Sequence, residues 1–168
     1  MEAKKTKMVL LLPLAILILA VMASTFLQNW RYAGLDETYW IRVNAGEEAP
    51  SILDTSRFSI RKIEIKDFSL ISTVASVSER ARENGFKKGD LDFYGNFVGE
   101  KIVGMTHYRT SSCGLDVYTP LELSLSEDRN AMYGSELVPV FDPHACGVWP
   151  QEDWTPVNFT LHRVPFKG

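Results

Sequence analysis

The chain has 168 residues, of which 45% are hydrophobic and 23% charged, with two cysteines and a net charge of −3. That is one domain's worth of ordinary globular composition, with 11 Gly and 8 Pro that speak for many turns. Residues 1–23 carry +2, so the remainder stands at −5; no basic patch with interleaved aromatics occurs, and the balance excludes nucleic-acid binding.

Lys4, Lys5 and Lys7 precede an uncharged run, Met8–Leu27. Its length is near the minimum for a membrane-spanning helix, and the flanking charges place the N-terminus in the cytoplasm. Two readings stand. Residues 1–29 are a retained anchor in the cytoplasmic membrane, with Trp30 and Tyr32 at the interface and the domain outside, in the periplasm. Alternatively they are a signal peptide cut after Ala23, which leaves a secreted protein. No cysteine lies near the end of the run, so a lipoprotein is excluded.

Residues 30–56 are expected as a linker or lid, with apolar Tyr39-Trp40-Ile41 and a turn-rich, acidic Asn44–Pro50. Residues 57–168 form the extracytoplasmic domain. Phe58, Ile60, Ile63 and Ile65 alternate with charged residues apart from a slip at Arg61-Lys62, which predicts a strand with a bulge. Phe68–Glu83 fits a strand entering an irregular turn. It also fits a helix, with Leu70, Val74, Val77 and Ala81 on one face and a stop at Asn84-Gly85.

Leu91, Phe93 and Phe97 lead to a turn at Gly99-Glu100 and a return strand over Lys101–Arg109. Gly95 and Gly104 inside these strands predict strong curvature. Val117–Ser126 alternates Leu121, Leu123 and Leu125, Glu127–Asn130 is a hairpin turn, and Met132–Phe141 returns. After a loop over Asp142–Pro156, Val157–Val164 forms the last strand, with Val157, Phe159, Leu161 and Arg163 on one face. Six or seven strands joined by short turns imply an all-β fold with at most one short helix. An antiparallel meander closing into a small barrel is expected, with a β-sandwich as the alternative.

Cys113 and Cys146 each sit in a turn-like context, and in an oxidising compartment a lone pair forms a disulfide. The alternative is a metal site of Asp142, His144 and Cys146, which alternate along an extended stretch; Asp142-Pro143 breaks that face, and no C-x-x-C or H-x-x-x-H spacing supports it.

Phe93-x-Gly95-x-x-x-Gly99-x-x-Ile102-x-Gly104 is followed by Leu121-x-Leu123-Ser124-x-Ser126-x-Asp128, Gly134, Trp154 and Arg163-Val164. Over roughly residues 90–164 this pattern resembles lipocalin-like β-meander domains of secreted bacterial proteins; a Gly-x-Trp motif near the domain start is absent. The resemblance implies ligand binding inside or at the mouth of a barrel and transfers no catalytic residue.

No cofactor motif is present, and no Gly-x-Ser-x-Gly elbow accompanies His107 and Ser111-Ser112. The aromatics Tyr133, Phe141, Trp149 and Trp154 are the candidate binding residues, as core plugs or as a pocket wall. The expected function is a non-catalytic extracytoplasmic binding or accessory protein. It is held at the membrane by Met8–Leu27 and takes a small apolar ligand or a membrane-protein partner. A structural subunit of a membrane complex and a small periplasmic hydrolase are the alternatives.

Overall fold

The computed structural model describes Pro13, Tyr32 and residues 16–23, 34–50, 53–110, 113–142 and 144–166. The chain divides into two units, 1–33 and 34–168. In the first, residues 16–23 are helical and expose Ile16, Leu17, Ile18, Leu19, Val21 and Met22. Most of Met8–Leu27 lies outside the described residues, among which no helix is long and apolar enough to cross a membrane.

The second unit is an up-and-down barrel of eight antiparallel strands. These are β1 (Thr38–Asn44), β2 (Ile60–Lys66), β3 (Ser69–Ser76), β4 (Leu91–Val98), β5 (Lys101–Thr110), β6 (Leu115–Leu125), β7 (Ala131–Val138) and, after a two-stranded excursion of β8 (Phe141–Asp142) and β9 (Gly147–Val148), β10 (Thr155–Val164). Each strand pairs with its chain neighbour, and β10 closes on β1, with Trp40 opposite Arg163 and Arg42 opposite Leu161. Closure pairs every edge, which is what a short meander with strong curvature needs. The curvature is visible at Gly95 and Gly104, which face each other across β4 and β5; a Cβ on Gly104 would stand 1.8 Å from the Tyr94 carbonyl oxygen.

Alternation puts Thr38, Trp40 and Arg42 inside the barrel and Ile41 and Val43 outside. The outer pair is covered too. Ile41, Val43 and Ile60 form a small second core against partly buried Leu53, Phe58, Val164 and Phe166. This corrects the reading of residues 30–56 as linker or lid, because a barrel strand occupies their centre. A strand buried on both faces shows no apolar–polar alternation, so its periodic signal is absent.

Other differences have equally local causes. The return strand expected to reach Phe141 stops at Val138, since Pro139 has no N–H for the ladder, and Phe141 pairs instead with Val148. Phe68–Glu83 follows the strand reading: β3 buries Leu70, Ser72 and Val74 in alternation, which removes Leu70 and Val74 from the alternative helical face, and the turn it enters holds only a one-turn helix α1 (Glu79–Glu83) capped by the Ser78 hydroxyl. The predicted slip in β2 is a register shift between Ile60 and Arg61.

The two ends of the barrel differ. At one end the strands are joined by Asp67-Phe68, Gly99-Glu100 and Ser126–Asn130. Trp40, Ile63, Leu70, Ile102, Leu123, Met132 and Leu161, all but fully buried, fill the interior. The Trp40 indole N–H donates to Thr38 Oγ1 at 2.7 Å, which satisfies the one polar atom of that plug. At the other end lie the three long connections, residues 45–59, residues 77–90 with α1, and residues 139–154 with β8, β9 and a 3-10 turn at Gln151–Asp153, together with the short β5–β6 connection of residues 111–114.

Candidate functional site

Cys113 and Cys146 are bonded, 33 residues apart in sequence with Cα atoms 5.4 Å apart. The bond ties the β5–β6 connection to the β8–β9 excursion, both at the long-loop end. It also overturns the metal alternative. Cys146 is not a thiolate, and Asp142 Oδ1 accepts the backbone N–H groups of His144 at 2.8 Å and Ala145 at 3.0 Å. These bonds hold the Asp142 carboxyl below the usual carboxylate range, so the residue shapes a turn.

The four candidate aromatics are not brought together. Trp149 and Trp154 meet on the excursion, where the Trp154 indole N–H donates to the Trp149 carbonyl at 2.9 Å and Trp149 stays half exposed. Phe141 lines a small cavity beside the disulfide. Tyr133, exposed on the outer wall, borders a separate shallow depression with Ser135, Asn158 and Thr160.

The larger concavity lies at the long-loop end, an open cavity of about 600 Å³. Its walls come from the ends of strands. Arg42 and Asn44 project from β1, Arg61 from β2, Val74 from β3, Asp92 from β4, Thr106 and Tyr108 from β5, Val138 from β7 and Val157 from β10. The loops complete it with Arg57, Phe58 and Ser59 on one side and Ser78, Arg80, Ala81 and Phe86 on the other. The volume suits a small organic molecule, and the lining mixes apolar walls with a few oriented polar groups, as ligand sites do.

The polar groups are organised in layers. Deepest is Glu136 on β7, whose side chain is fully buried; its Oε1 accepts from both Arg42 Nη1 and the Tyr108 hydroxyl. Burial alone would lower the Arg42 pKa, but the Glu136 carboxylate outweighs it and holds the guanidinium charged. Burial, then Glu136, drives the Tyr108 phenol upward, so it stays a donor. Arg42 also stacks over the Phe159 ring, 4.1 Å from its centroid. Above this, Arg61 pairs with Asp92 and donates from Nη1 to the Ser59 carbonyl at 3.3 Å. Inside the barrel, Ser72 Oγ, Thr119 Oγ1 and Glu136 Oε2 are buried without a hydrogen-bond partner among the described residues. Ser72 and Thr119 belong to one inward cross-strand row, Ile63–Ser72–Phe93–Thr106–Thr119.

The loop carrying α1 is braced from outside the wall. Arg109 donates from Nε to Asp116 at 2.7 Å and from Nη1 to Asp90 at 2.6 Å, and its guanidinium lies 5.5 Å from the Phe86 ring. Asp116, bonded by Arg109 and then His107, is held below its ordinary pKa. His107 stands buried between Phe86 and Tyr118, with Nδ1 2.9 Å from the Leu91 carbonyl and Nε2 2.7 Å from Asp116. Both its nitrogens are engaged, so the ring serves as a brace for this wall. Ser111 and Ser112 lie outside the described residues.

Sequence reasoning missed this site because its residues come from seven strands and two loops, and no short motif joins them. The arginines at 42, 57, 61, 80 and 109, scattered along an otherwise acidic domain, gather at this cavity only in the fold. Comparison with protein-family models, with curated proteins and with solved structures finds no match to this chain. What can be assigned is the fold, an eight-stranded antiparallel barrel, plugged at one end and open to an arginine-lined cavity at the other.

Proposed function

We propose that this is a non-catalytic binding protein whose barrel takes a small amphipathic molecule at its open end. The observation that carries the reading is the roughly 600 Å³ cavity, set between the β1–β2 connection and the loop carrying α1, at the barrel end opposite the buried plug. Eight strands leave room for one small ligand at most, as in lipocalin-like barrels, and the meander order agrees with that resemblance. The reading refines the apolar ligand expected from the aromatics and the lipocalin-like resemblance, because the walls are apolar while the rim and floor carry charge. Retention by Met8–Leu27, with the domain outside the cytoplasm, belongs to the same proposal; the disulfide fits an oxidising compartment. Release by cleavage after Ala23 is its alternative.

The test is a fluorescence titration of the full chain in nanodiscs with the neutral probe N-phenyl-1-naphthylamine, against empty nanodiscs. Saturable one-to-one binding is expected, and Val74→Trp, which fills the cavity wall, abolishes it while circular dichroism stays that of a β-protein. A non-saturable signal, or equal binding by the folded Val74→Trp variant, overturns the reading. A second reading, a structural subunit of a membrane complex, draws on half-exposed Trp149 on its disulfide-braced excursion.

A further inference from the structure

Cavity cations and anions do not balance. Arg42 is matched by Glu136, Arg61 by Asp92, and Arg109 by Asp90 and Asp116. Arg57 and Arg80 also line the cavity, yet neither forms an ion pair among the described residues. The acids nearest them in sequence are otherwise arranged. Asp54 Oδ1 accepts from the Ser56 backbone N–H at 2.9 Å and its hydroxyl at 2.7 Å, and the carboxylate feels the Arg57 charge without forming an ion pair with it; the Arg57 guanidinium lies 5.6 Å from the Phe58 ring centroid, while Glu79 and Glu83 are exposed on α1 and do not line the cavity.

A second observation brings these two arginines to one place. The β1–β2 connection and α1 are stitched together at the rim. Glu79 N–H donates to the Ser56 carbonyl at 3.0 Å, and Ser78 N–H donates to Ser59 Oγ at 3.1 Å, with the two serine hydroxyls 3.0 Å apart. Arg57 and Arg80 are the residues that directly follow the bonded pair Ser56 and Glu79. Two like charges thus border one cavity, whose apolar lining includes Phe58, Val74, Ala81 and Val157. Neighbouring guanidinium groups repel unless an anion lies between them, and their planar forks suit a carboxylate or phosphate.

We infer that Arg57 and Arg80 form a clamp for the anionic headgroup of the ligand, whose apolar body descends into the barrel mouth; this rests on the binding function proposed above. The site therefore selects amphipathic anions, carboxylates or phosphate monoesters, over neutral molecules of the same shape. Because both arginines are solvent-facing, the preference weakens as salt rises.

Calorimetry on the full chain in nanodiscs compares 4-phenylbutyrate, 4-phenylbutyl phosphate and 4-phenylbutanol at low salt. At least one anion binds about tenfold or more tighter than the alcohol. In the Arg57→Gln/Arg80→Gln variant that margin disappears while alcohol binding is unchanged, and which anion leads identifies the headgroup. Equal affinities for acid and alcohol in the natural chain, or a margin that survives in the variant, overturn the clamp and leave the cavity reading intact. Absence of binding by all three overturns both.

Discussion

The Phe159 ring lies against Gly134 on the neighbouring strand, where a Cβ would stand 2.3 Å from ring atom Cζ, and the Arg42 guanidinium stacks on the same ring, 4.1 Å from its centroid. The glycine is thus what lets the ring lie against the barrel wall, and the ring in turn supports the cation that pairs with Glu136. Gly134→Ala displaces the ring and is expected to cost about 1–3 kcal/mol, the ordinary range for overpacking. For a chain of this size that lowers the melting temperature by about 2–4 °C per kcal/mol. Thermal unfolding checks it, and an unchanged midpoint would mean that the ring has room to move. Loss of the cavity probe in the same variant would show that the displacement reaches Arg42.

Glu136 and Arg42 make a stronger prediction. The carboxylate is fully buried and the guanidinium largely so. Removing only the acid, as in Glu136→Leu, leaves a partly desolvated cation and an unpaired Tyr108 hydroxyl, and is expected to cost roughly 3–5 kcal/mol. Removing both charges with Arg42→Met/Glu136→Leu recovers most of that loss. Denaturant unfolding of the four members of this cycle measures the coupling. If the double variant is as unstable as the single one, the pair is not the origin of the cost.

How much of this was legible in the sequence differs between strands and site. The hairpins from Leu91 to Leu125 follow alternation, because one face of each strand is packed and the other wet. Thr38–Asn44 hid, since Ile41 and Val43 are covered from outside by Phe58 and Phe166, residues distant in sequence. The site was less legible still. Arg42, Arg61, Asp92, Tyr108 and Glu136 meet only because the barrel closes, and closure depends on pairings such as Arg42 with Leu161 that no local pattern encodes. The aromatics were visible as residue types, but their type says nothing of the end of the barrel on which they sit.

The β2–β3 turn is built from residues poorly suited to it. Asp67 and Phe68 both have positive φ, 49° and 62°, the conformation of a type I′ turn that Asn-Gly adopts at least cost. Phe68 is also mostly exposed, so its ring recovers little by burial. Asp67→Asn/Phe68→Gly is expected to stabilise the barrel by about 1 kcal/mol. A raised denaturation midpoint confirms it; a lowered one would show that the Phe68 ring has a role in the full protein.

The disulfide closes the long-loop end from the side. Cys113→Ser/Cys146→Ser removes a link across 33 residues and is expected to cost about 3–4 kcal/mol by loop-closure entropy. The barrel ladder does not run through Cys113 or Cys146, so the fold is expected to survive, with the loss concentrated in the excursion. Hydrogen exchange checks this: amides of residues 139–154 lose protection first, while those of β4 and β5 keep theirs. Uniform loss of protection would show that the excursion and the barrel unfold as one unit.

Acid stability follows from carboxylates that the fold holds in their charged form. Asp116 is depressed by Arg109 and then His107, Asp142 by the amides of Ala145 and His144, and Asp128 by the Ser126 hydroxyl and the Asn130 amide. Each has a folded pKa below its unfolded value of about 3.9. Between those two values the unfolded chain binds more protons than the folded one, so stability rises with pH there. The contribution is complete above about pH 4–5 and is lost as pH falls through the folded pKa values. Denaturant midpoints between neutral and strongly acid pH are therefore expected to stay level, so far as these groups are concerned, until about pH 4 and then to drop. Asp142→Asn and Asp116→Asn should each lower the neutral-pH plateau and flatten the acid limb. Since all three groups are surface-facing, salt weakens the Asp116 effect, which rests on a cation, more than the Asp142 effect, which rests on backbone amides. An acid limb that keeps its slope in both variants would move the origin of acid sensitivity to other groups of the chain.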